Sequence, residues 1–393
     1  MLNYRGDMKT VLFFTDMHAG VHVTEYAGVC DRARHYGWRV VEIEYARTDR
    51  PAEEFIEEWD PCGVIVECGN MIGEVNVPAY TSVPAVFIDP RLPAGQAGRL
   101  FTVEQDAAAL AALAYRELSA IGPATFGFVG WCGRQIWSER RQAAFAEILR
   151  RHGAPPLQAF DTPWSRTDLL SFRRHLARWL ARLPRPCAIL AANDETAERV
   201  AEACTQSGLA CPDDVAIIGA DNDGVRCENH DPQLSSIASD YLNAGRLAAD
   251  LLAGQLHRGA KPAPRTVTFG PTETVRRDST RTLQTRDPAI QAALRKIARG
   301  ACEGLTAADI LAGIPCSRRL AEQRFRAAVG HSIGEEIMNV RLARVRKMLA
   351  DPSLPIARIA PACGWETDSF LKRAFKRHTG LTMREWRDRL AAH

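Results

Sequence analysis

Long apolar runs are missing from this 393-residue chain. The longest strongly apolar stretch, the alanine-leucine run 107–114, falls far short of the ~20 residues a helix needs to span a bilayer. That argues against a membrane partner. The apolar run 11–14 near the start is too short for a secretory signal, so the chain is expected in the cytoplasm. Eleven cysteines are scattered, and none forms a CxxC pair. An odd set without paired spacing fits free thiols in a reducing compartment, not a disulfide framework. No His/Cys spacing resembles a zinc site. The nucleophile elbow GxSxG, the phosphate loop GxxxxGK[ST] and HExxH are all absent. Asp221-Asn222-Asp223-Gly224 hints at a calcium loop, but its glycine comes too early and no glutamate closes twelve residues. No catalytic residue, metal ligand or cofactor is therefore assigned, and the chain is not expected to be an enzyme.

Lysine is scarce too, so arginine supplies most of the 50 basic residues. With 46% apolar and 25% charged residues, the composition is that of a soluble globular protein, and the length suggests two or three domains. The net charge of +3 hides a division. Residues 286–393 carry a net +9 and the rest a net −6. A basic tail on a mildly acidic body points to a nucleic-acid partner for the tail.

The first 270 residues alternate short β-branched or aromatic runs with amphipathic helical stretches. Strands are expected at 11–14, 39–43, 63–66, 85–88, 126–130, 188–191 and 215–220. Helices are expected at 25–36, 52–58, 106–119, 139–152, 169–182, 195–207 and 240–256. Apolar runs of four to six residues between helices imply parallel sheets covered on both faces. The series restarts near residue 123, which predicts two doubly wound α/β lobes. The first would span about 9–122 plus a segment returning after 238, and the second about 123–237. Ligands bind such sheets at the carboxyl ends of strands. Three strand ends carry suitable groups: Trp137 and Arg141 after the first, Asn193 after the second, Asp221 and Asp223 after the third. Carboxylate, amide and guanidinium groups pair with vicinal hydroxyls, and an indole covers an apolar sugar face. Each polar residue alone also reads as a turn residue or helix cap. His18 and His22, after the first strand, read as surface-loop histidines, with ligand contact as the other reading.

Residues 281–288 read as a polar linker, and 289–393 as an all-α domain. That domain repeats one unit: a short helix, a tight turn, then a basic helix with an apolar anchor. The buried set is expected to be Ile310, Leu311, Ile314, Leu320 and Phe325 in the first copy. In the second it is Ile359, Ala360, Trp365, Phe370 and Phe375. Such helix-turn-helix units leave one basic face for the DNA major groove. The candidate DNA contacts are Ser317, Arg318, Arg319, Glu322 and Arg324, then Thr367, Asp368, Lys372, Arg373 and Lys376. A connecting helix of seventeen residues is about 25 Å long. It suits two reading helices one DNA turn, ~34 Å, apart. Pro361 lies inside the short helix of the second unit and is expected to kink it.

The tail resembles the AraC/XylS-type DNA-binding domains. The resemblance runs from Ser317-Arg318-Arg319-Leu320-Ala321-Glu322 through Cys363-Gly364-Trp365 to Phe375, Gly380-Leu381-Thr382 and Trp386. Met383 stands where that family usually has proline. The body, from about Lys9 to Thr280, resembles the LacI/GalR-type ligand-binding module, a periplasmic-binding-protein-like fold. The segments that carry this are Arg141-Gln142-Ala143-Ala144-Phe145, Ala192-Asn193-Asp194, Gly219-Ala220-Asp221-Asn222 and Asp231-Pro232-Gln233-Leu234. By that resemblance Arg141, Asn193 and Asp221 are ligand residues. A LacI-like body before an AraC-like tail is the arrangement of the xylose operon regulators. The resemblance therefore implies a homodimeric transcriptional activator that binds double-stranded DNA and senses a sugar, xylose or another pentose, between its lobes. A non-sugar polar effector, or a body that only dimerises, is the alternative.

Overall fold

The computed structural model describes residues 8–16, 20–45, 48–71, 73–132, 135–160, 169–257, 262–281, 287–349, 354–365 and 367–391. His18 and most of the expected linker lie outside these. The chain divides into two compact units, Met1–Thr282 and Leu283–His393.

The first unit begins with β1 (Lys9–Thr15), α1 (Gly20–Tyr36), β2 (Trp38–Glu44), α2 (Ala52–Trp59), β3 (Gly63–Glu67), β4 (Ala85–Ile88) and β5 (Phe101–Gln105). It continues with α3 (Ala107–Ser119), β6 (Thr125–Val129), α4 (Ile136–Arg151), β7 (Gln158–Phe160), α5 (Leu169–Arg182) and β8 (Cys187–Ala191). Then come α6 (Asp194–Gln206), β9 (Val215–Ala220), α7 (Gly224–Glu228), β10 (Ser235–Ser239), α8 (Tyr241–Leu256), β11 (Thr266–Phe269) and β12 (Pro271–Val275). Two six-stranded sheets result, ordered β11-β5-β4-β3-β1-β2 and β12-β10-β9-β8-β6-β7. Every pairing is parallel except the antiparallel edge strand β12 against β10. The central strands β3, β4, β6, β8 and β9 are buried throughout. That explains their unbroken apolar runs: helices cover both faces.

The lobes divide differently from the sequence expectation. The chain crosses between them three times: after Gln105, after Ser239 and at Gly270. Helix α3 packs on α4, and its Leu110, Ala114 and Leu118 share a core with Phe126 and Phe145. The boundary therefore falls at Asp106, whose carboxylate caps α3, not near residue 122. The cause is β5, an edgeward strand whose polar Thr102, Glu104 and Gln105 hid it among loop residues. The stretch 271–280 also completes the second lobe. Ser279 donates to the Ile217 carbonyl at 2.6 Å and accepts from the Ser235 amide at 2.8 Å.

Helices α1 and α8 lie face to face on the first sheet through two glycines. A Cβ on Gly28 would collide with the Leu242 carbonyl, and one on Gly245 with the Glu25 carbonyl. This close approach sets where the start of α1 sits over the strand ends.

The second unit holds α9 (Pro288–Gly300), α10 (Ala307–Leu311), α11 (Arg318–Val329), α12 (Ile333–Leu349), α13 (Ile359–Ala362), α14 (Asp368–Thr379) and α15 (Met383–Ala391). Two cores flank α12. Ile310, Ile314, Ala321, Phe325 and Ile333 belong to one. Val345, Ile359, Ala360, Leu371, Phe375 and Met383 belong to the other. The expected buried sets need one correction. Leu320 is 46% exposed and Phe370 54% exposed. The adjacent Ala321 and Leu371 are the buried residues, because each sits four residues before its anchor, Phe325 or Phe375, on the same helix face. Pro361 does not interrupt a longer helix. A 3-10 turn at Ile356–Arg358 precedes the four-residue α13, so Pro361 lies in the first turn, where an N–H has no helical partner to lose.

The glycine contact makes a prediction. Gly245→Ala should destabilise the chain by about 3 kcal/mol, at the upper end for overpacking, because a backbone carbonyl cannot rotate aside. Gly254→Ala on the same helix, where a Cβ meets only the Pro262 ring at 3.6 Å, should be neutral or mildly stabilising. Urea unfolding of the two variants checks the contrast.

Candidate functional site

Within the first unit, the carboxyl ends of the strands converge beside the crossings between lobes. Arg141 lies there on α4 and is 2% exposed. Its Nη2 donates to Asp221 Oδ1 at 2.8 Å and to the Tyr241 hydroxyl at 3.1 Å. Its Nε donates to Gln105 Oε1 at 2.8 Å, and its Nη1 to the Ala192 carbonyl. The Tyr241 hydroxyl donates to the same Asp221 oxygen at 2.6 Å and accepts from Gln105 Nε2 at 3.2 Å. Burial disfavours the guanidinium charge, but Asp221 and Tyr241 more than compensate, so the Arg141 pKa is raised. The same burial and the Asp221 charge push the Tyr241 phenol well above its usual range.

The structure brings four of the expected residues to this place. Trp137 lies under the Arg141 guanidinium, 4.9 Å from carbon to ring centroid. It also reaches the end of β3, 3.5 Å from the point where a Gly69 Cβ would be. Asp221 follows β9 with a left-handed φ of 96°, and Asn222 follows with 54°. Asn193 begins α6, next to the Ala192 carbonyl that Arg141 holds. Its Oδ1 accepts from the Thr196 amide at 2.9 Å and the Thr196 hydroxyl at 2.8 Å. Asp223 is exposed and caps α7 through the Val225 and Arg226 amides.

Sequence reasoning missed most of the surrounding groups. Asp194 is 2% exposed, and its Oδ2 accepts from the Asp223 amide at 2.7 Å, pinning the strained Asp221 loop. Arg277 holds the same loop through Asn222 Oδ1 at 2.9 Å. On the first lobe, Asp89 follows β4 with φ 43° and accepts from the Gln105 amide at 2.9 Å. Arg140 faces Asp89 at 3.4 Å and Glu104 at 3.2 Å. His22, Glu25 and Glu67 form a buried cluster, with one donor atom from each lying within 4.8 Å of the others. Donors of these types at this separation suit a metal ion. His22 is thus a helix residue 6% exposed, not a surface-loop histidine. The rule that found Asp221, an acid directly after a buried strand, also fits Glu67 and Asp89.

The second unit presents the other candidate surface. Ser317 and Thr367 are the N-caps of α11 and α14. Arg318, Arg319, Lys372, Arg373 and Lys376 are exposed, while Glu322 is half-buried. Lys372 pairs with Asp368 at 2.5 Å. Arg324 does not stand free. It holds Asp287, the N-cap of α9, with its Nε and Nη2 at 2.9 and 2.5 Å. A cavity of about 720 Å³ lies beside α14, lined by the basic Lys372, Arg373, Lys376, Arg377 and Arg384 together with Asp368 and the apolar Ile356 and Met383. This arrangement suits a phosphate backbone.

Comparison with known proteins agrees with this division. Residues 115–280 match the periplasmic binding protein-like domain, and residues 312–389 a helix-turn-helix domain. The chain is 26% identical to the xylose operon regulatory protein of Escherichia coli (strain K12), over 96% of both chains. Among solved structures, it resembles a xylose-binding transcription activator, xylR, with TM-score 0.74, 23% identity and coverage of 96% of this chain and 97% of that one. It also resembles the lac repressor dimer bound to operator, with TM-score 0.55 and 19% identity, over 70% of this chain and 95% of that one. The expected fold is thus confirmed: two α/β lobes followed by a helical DNA-binding domain. No helix among the described residues is long and apolar enough to cross a membrane.

Asp194 gives a pH prediction. Burial first, and the Asp221 charge second, push its carboxyl from 3.8 up to about 7. A folded-state value above the unfolded one favours the fold when protonated. That contribution is complete below pH 4 and is lost as pH rises through about 7. Asp89, pushed by burial up to about 6, acts in the same sense. The melting temperature should fall between pH 5.5 and pH 8.5. Asp194→Asn, which keeps an acceptor for the Asp223 amide, should flatten that fall. Melting curves at the two pH values decide it.

Proposed function

We propose that the chain is a sugar-responsive transcription activator, with a pentose, xylose foremost, bound between its lobes. The observation that carries this reading is the Arg141–Asp221–Trp137 arrangement at the lobe crossings. It offers a carboxylate and a guanidinium for vicinal hydroxyls, with an indole face beside them. Asp221 Oδ1 is taken by Arg141 and Tyr241, so its other oxygen is the one a ligand hydroxyl would meet. Asn193 supplies an amide at the same strand ends, and Asp223 stands at the rim. The full-length similarity to xylose operon regulators supports both the effector class and a role in regulation without catalysis. The sign of regulation rests on the related structure described as an activator. A homodimer is supported by the lac repressor dimer, whose fold the body resembles.

Ligand binding would work by favouring one lobe arrangement, and only to the extent of its differential affinity for the two. The DNA contacts proposed are Ser317, Arg318, Arg319 and Glu322 on the first unit. On the second they are Thr367, Asp368, Lys372, Arg373 and Lys376. Arg324, tied to Asp287, is assigned a positioning role for α11.

A thermal-shift screen of pentoses and hexoses tests the effector. A sugar at 100 times its Kd should stabilise the chain by about 2.7 kcal/mol, and Asp221→Asn should abolish the shift. Stabilisation by no sugar, or an undiminished shift in the variant, would overturn the assignment. On DNA selected from a random pool, Arg318→Ala should relax base preference. Lys376→Ala should weaken all sequences alike and lower the salt slope by about one. Identical behaviour of the two variants would remove the distinction between base reading and phosphate contact.

A further inference from the structure

The buried cluster of His22, Glu25 and Glu67 is used by neither the Arg141 network nor the DNA face. His22 and Glu25 lie one turn apart near the start of α1, and Glu67 ends β3. All three are at least nine-tenths buried. His22 Nδ1 is 3.4 Å from Glu25 Oε2 and 3.5 Å from Glu67 Oε2. Glu67 Oε1 accepts from the Gly69 amide at 2.5 Å, while its Oε2 has no hydrogen-bond partner. That oxygen is therefore a buried anionic acceptor aimed at the imidazole and otherwise unsatisfied.

Geometry and charge agree on what fits. Metal–ligand distances of about 2.0–2.2 Å put the ligand atoms of a tetrahedral site about 3.3–3.6 Å apart. The two distances from Nδ1 fall in that range. Two carboxylates face one imidazole away from water, and a buried carboxylate stays ionised only with a cationic partner, so the cluster's potential favours a cation. Asp16, Asp89 and Asp221 add to that potential. The ring is also oriented from behind, since Asn70 holds Nε2 at 3.0 Å. As placed, the Asn70 amide nitrogen faces Nε2 and Nδ1 points its proton at Glu25; turning the amide presents Oδ1 to an Nε2 proton and leaves Nδ1 as a lone pair, the usual support for a metal-bound histidine. Thr15 lies on the strand next to Glu67. Phe14 pairs with Val66, so Thr15 comes opposite Glu67 on the same face, and its buried hydroxyl is without a partner.

We propose that His22, Glu25 and Glu67 form a binding site for a divalent transition-metal cation in the first lobe. One nitrogen and two carboxylates select Mn²⁺, Fe²⁺ or Zn²⁺ over soft thiophilic ions. The ion would hold both carboxylates ionised and fix the start of α1 against the end of β3. It goes beyond the sugar-sensing reading and does not depend on it.

Manganese is the probe, because it ignores the eleven free cysteines. The full chain, stripped with chelator and dialysed, is titrated with MnCl₂ while the electron paramagnetic resonance signal of free Mn²⁺ is followed. One Mn²⁺ per chain is expected, with affinity at least tenfold weaker in Glu67→Gln and in Glu25→Gln. Both variants are isosteric, and circular dichroism checks their fold. Electron spin echo modulation from a directly bound imidazole nitrogen in the wild-type chain gives a reading that needs no variant. An undiminished free-ion signal, bound manganese without nitrogen modulation, or unweakened binding in the folded variants would each overturn the site.

Discussion

A guanidinium cannot be buried without partners, and Arg141 is buried. Much of the arrangement between the lobes follows from that constraint. Leaving one member of such a pair uncompensated costs about 3–5 kcal/mol. The partners come from both lobes. Asp221 and the Ala192 carbonyl belong to strand ends of the second lobe. Gln105 and Tyr241 lie where the chain passes into or out of the first. Asp221 can reach Arg141 only with a left-handed backbone, which Asp194 and Arg277 hold in place from behind. The strain of the loop and the burial of Asp194 are thus consequences of one charge. A ligand entering beside Asp221, as proposed, would join hydrogen bonds that already link the lobes, so its binding and their relative position would share the same atoms.

The two lobes bring different charge balances to this junction. The second contributes Arg140 and Arg141 against Asp194 and Asp221. The first contributes Glu25, Glu67, Asp89 and Glu104 against His22. Arg140 reaches over to Asp89 and Glu104, and Arg91 of the first lobe meets Glu139 of the second, so charge pairs cross the junction in both directions. Burial makes these interactions stronger than surface pairs, and it makes any unpaired member costly. The His22 cluster is the part of this pattern that the arginines do not reach. Its carboxyls are instead pushed above their usual range by burial.

How much of this was legible in the sequence depends on how each residue is recognised. Fully buried strands announce themselves as apolar runs, so β1, β3, β6, β8 and β9 were readable. β5, β7, β11 and β12 were not: β7, β11 and β12 are short and partly exposed, and β5, though largely buried, carries Thr102, Glu104 and Gln105. Missing β5 moved the lobe boundary, since without it Asp106 looked like the middle of a lobe. Arg141, Asn193 and Asp221 stood out because each follows a strand within a familiar motif. His22 did not, because no local pattern marks Gly20 as the start of α1. Gln105 and Tyr241 become recognisable only when three crossings bring them to one point, which no local pattern encodes.

The helical unit shows the same limit at the scale of one residue. Both halves have a hydroxyl N-cap followed three positions later by a large apolar side chain, Leu320 or Phe370. Read as periodicity, these belonged to the core. In the fold they are exposed, and Ala321 and Leu371 take the inward positions. The two halves then differ in where they place charge. The first carries Arg318 and Arg319 at the start of its helix, while Arg324 is committed to Asp287. The second pairs Lys372 with Asp368 near its start and leaves Lys376 and Arg377 toward its end. Contacts at the start of a reading helix reach base edges, whereas charge farther along meets the backbone. The repeat thus keeps its caps and a last-turn cation, Arg326 or Lys376, and differs at the start of each helix, where Arg318 and Arg319 stand against Asp368 and Ser369.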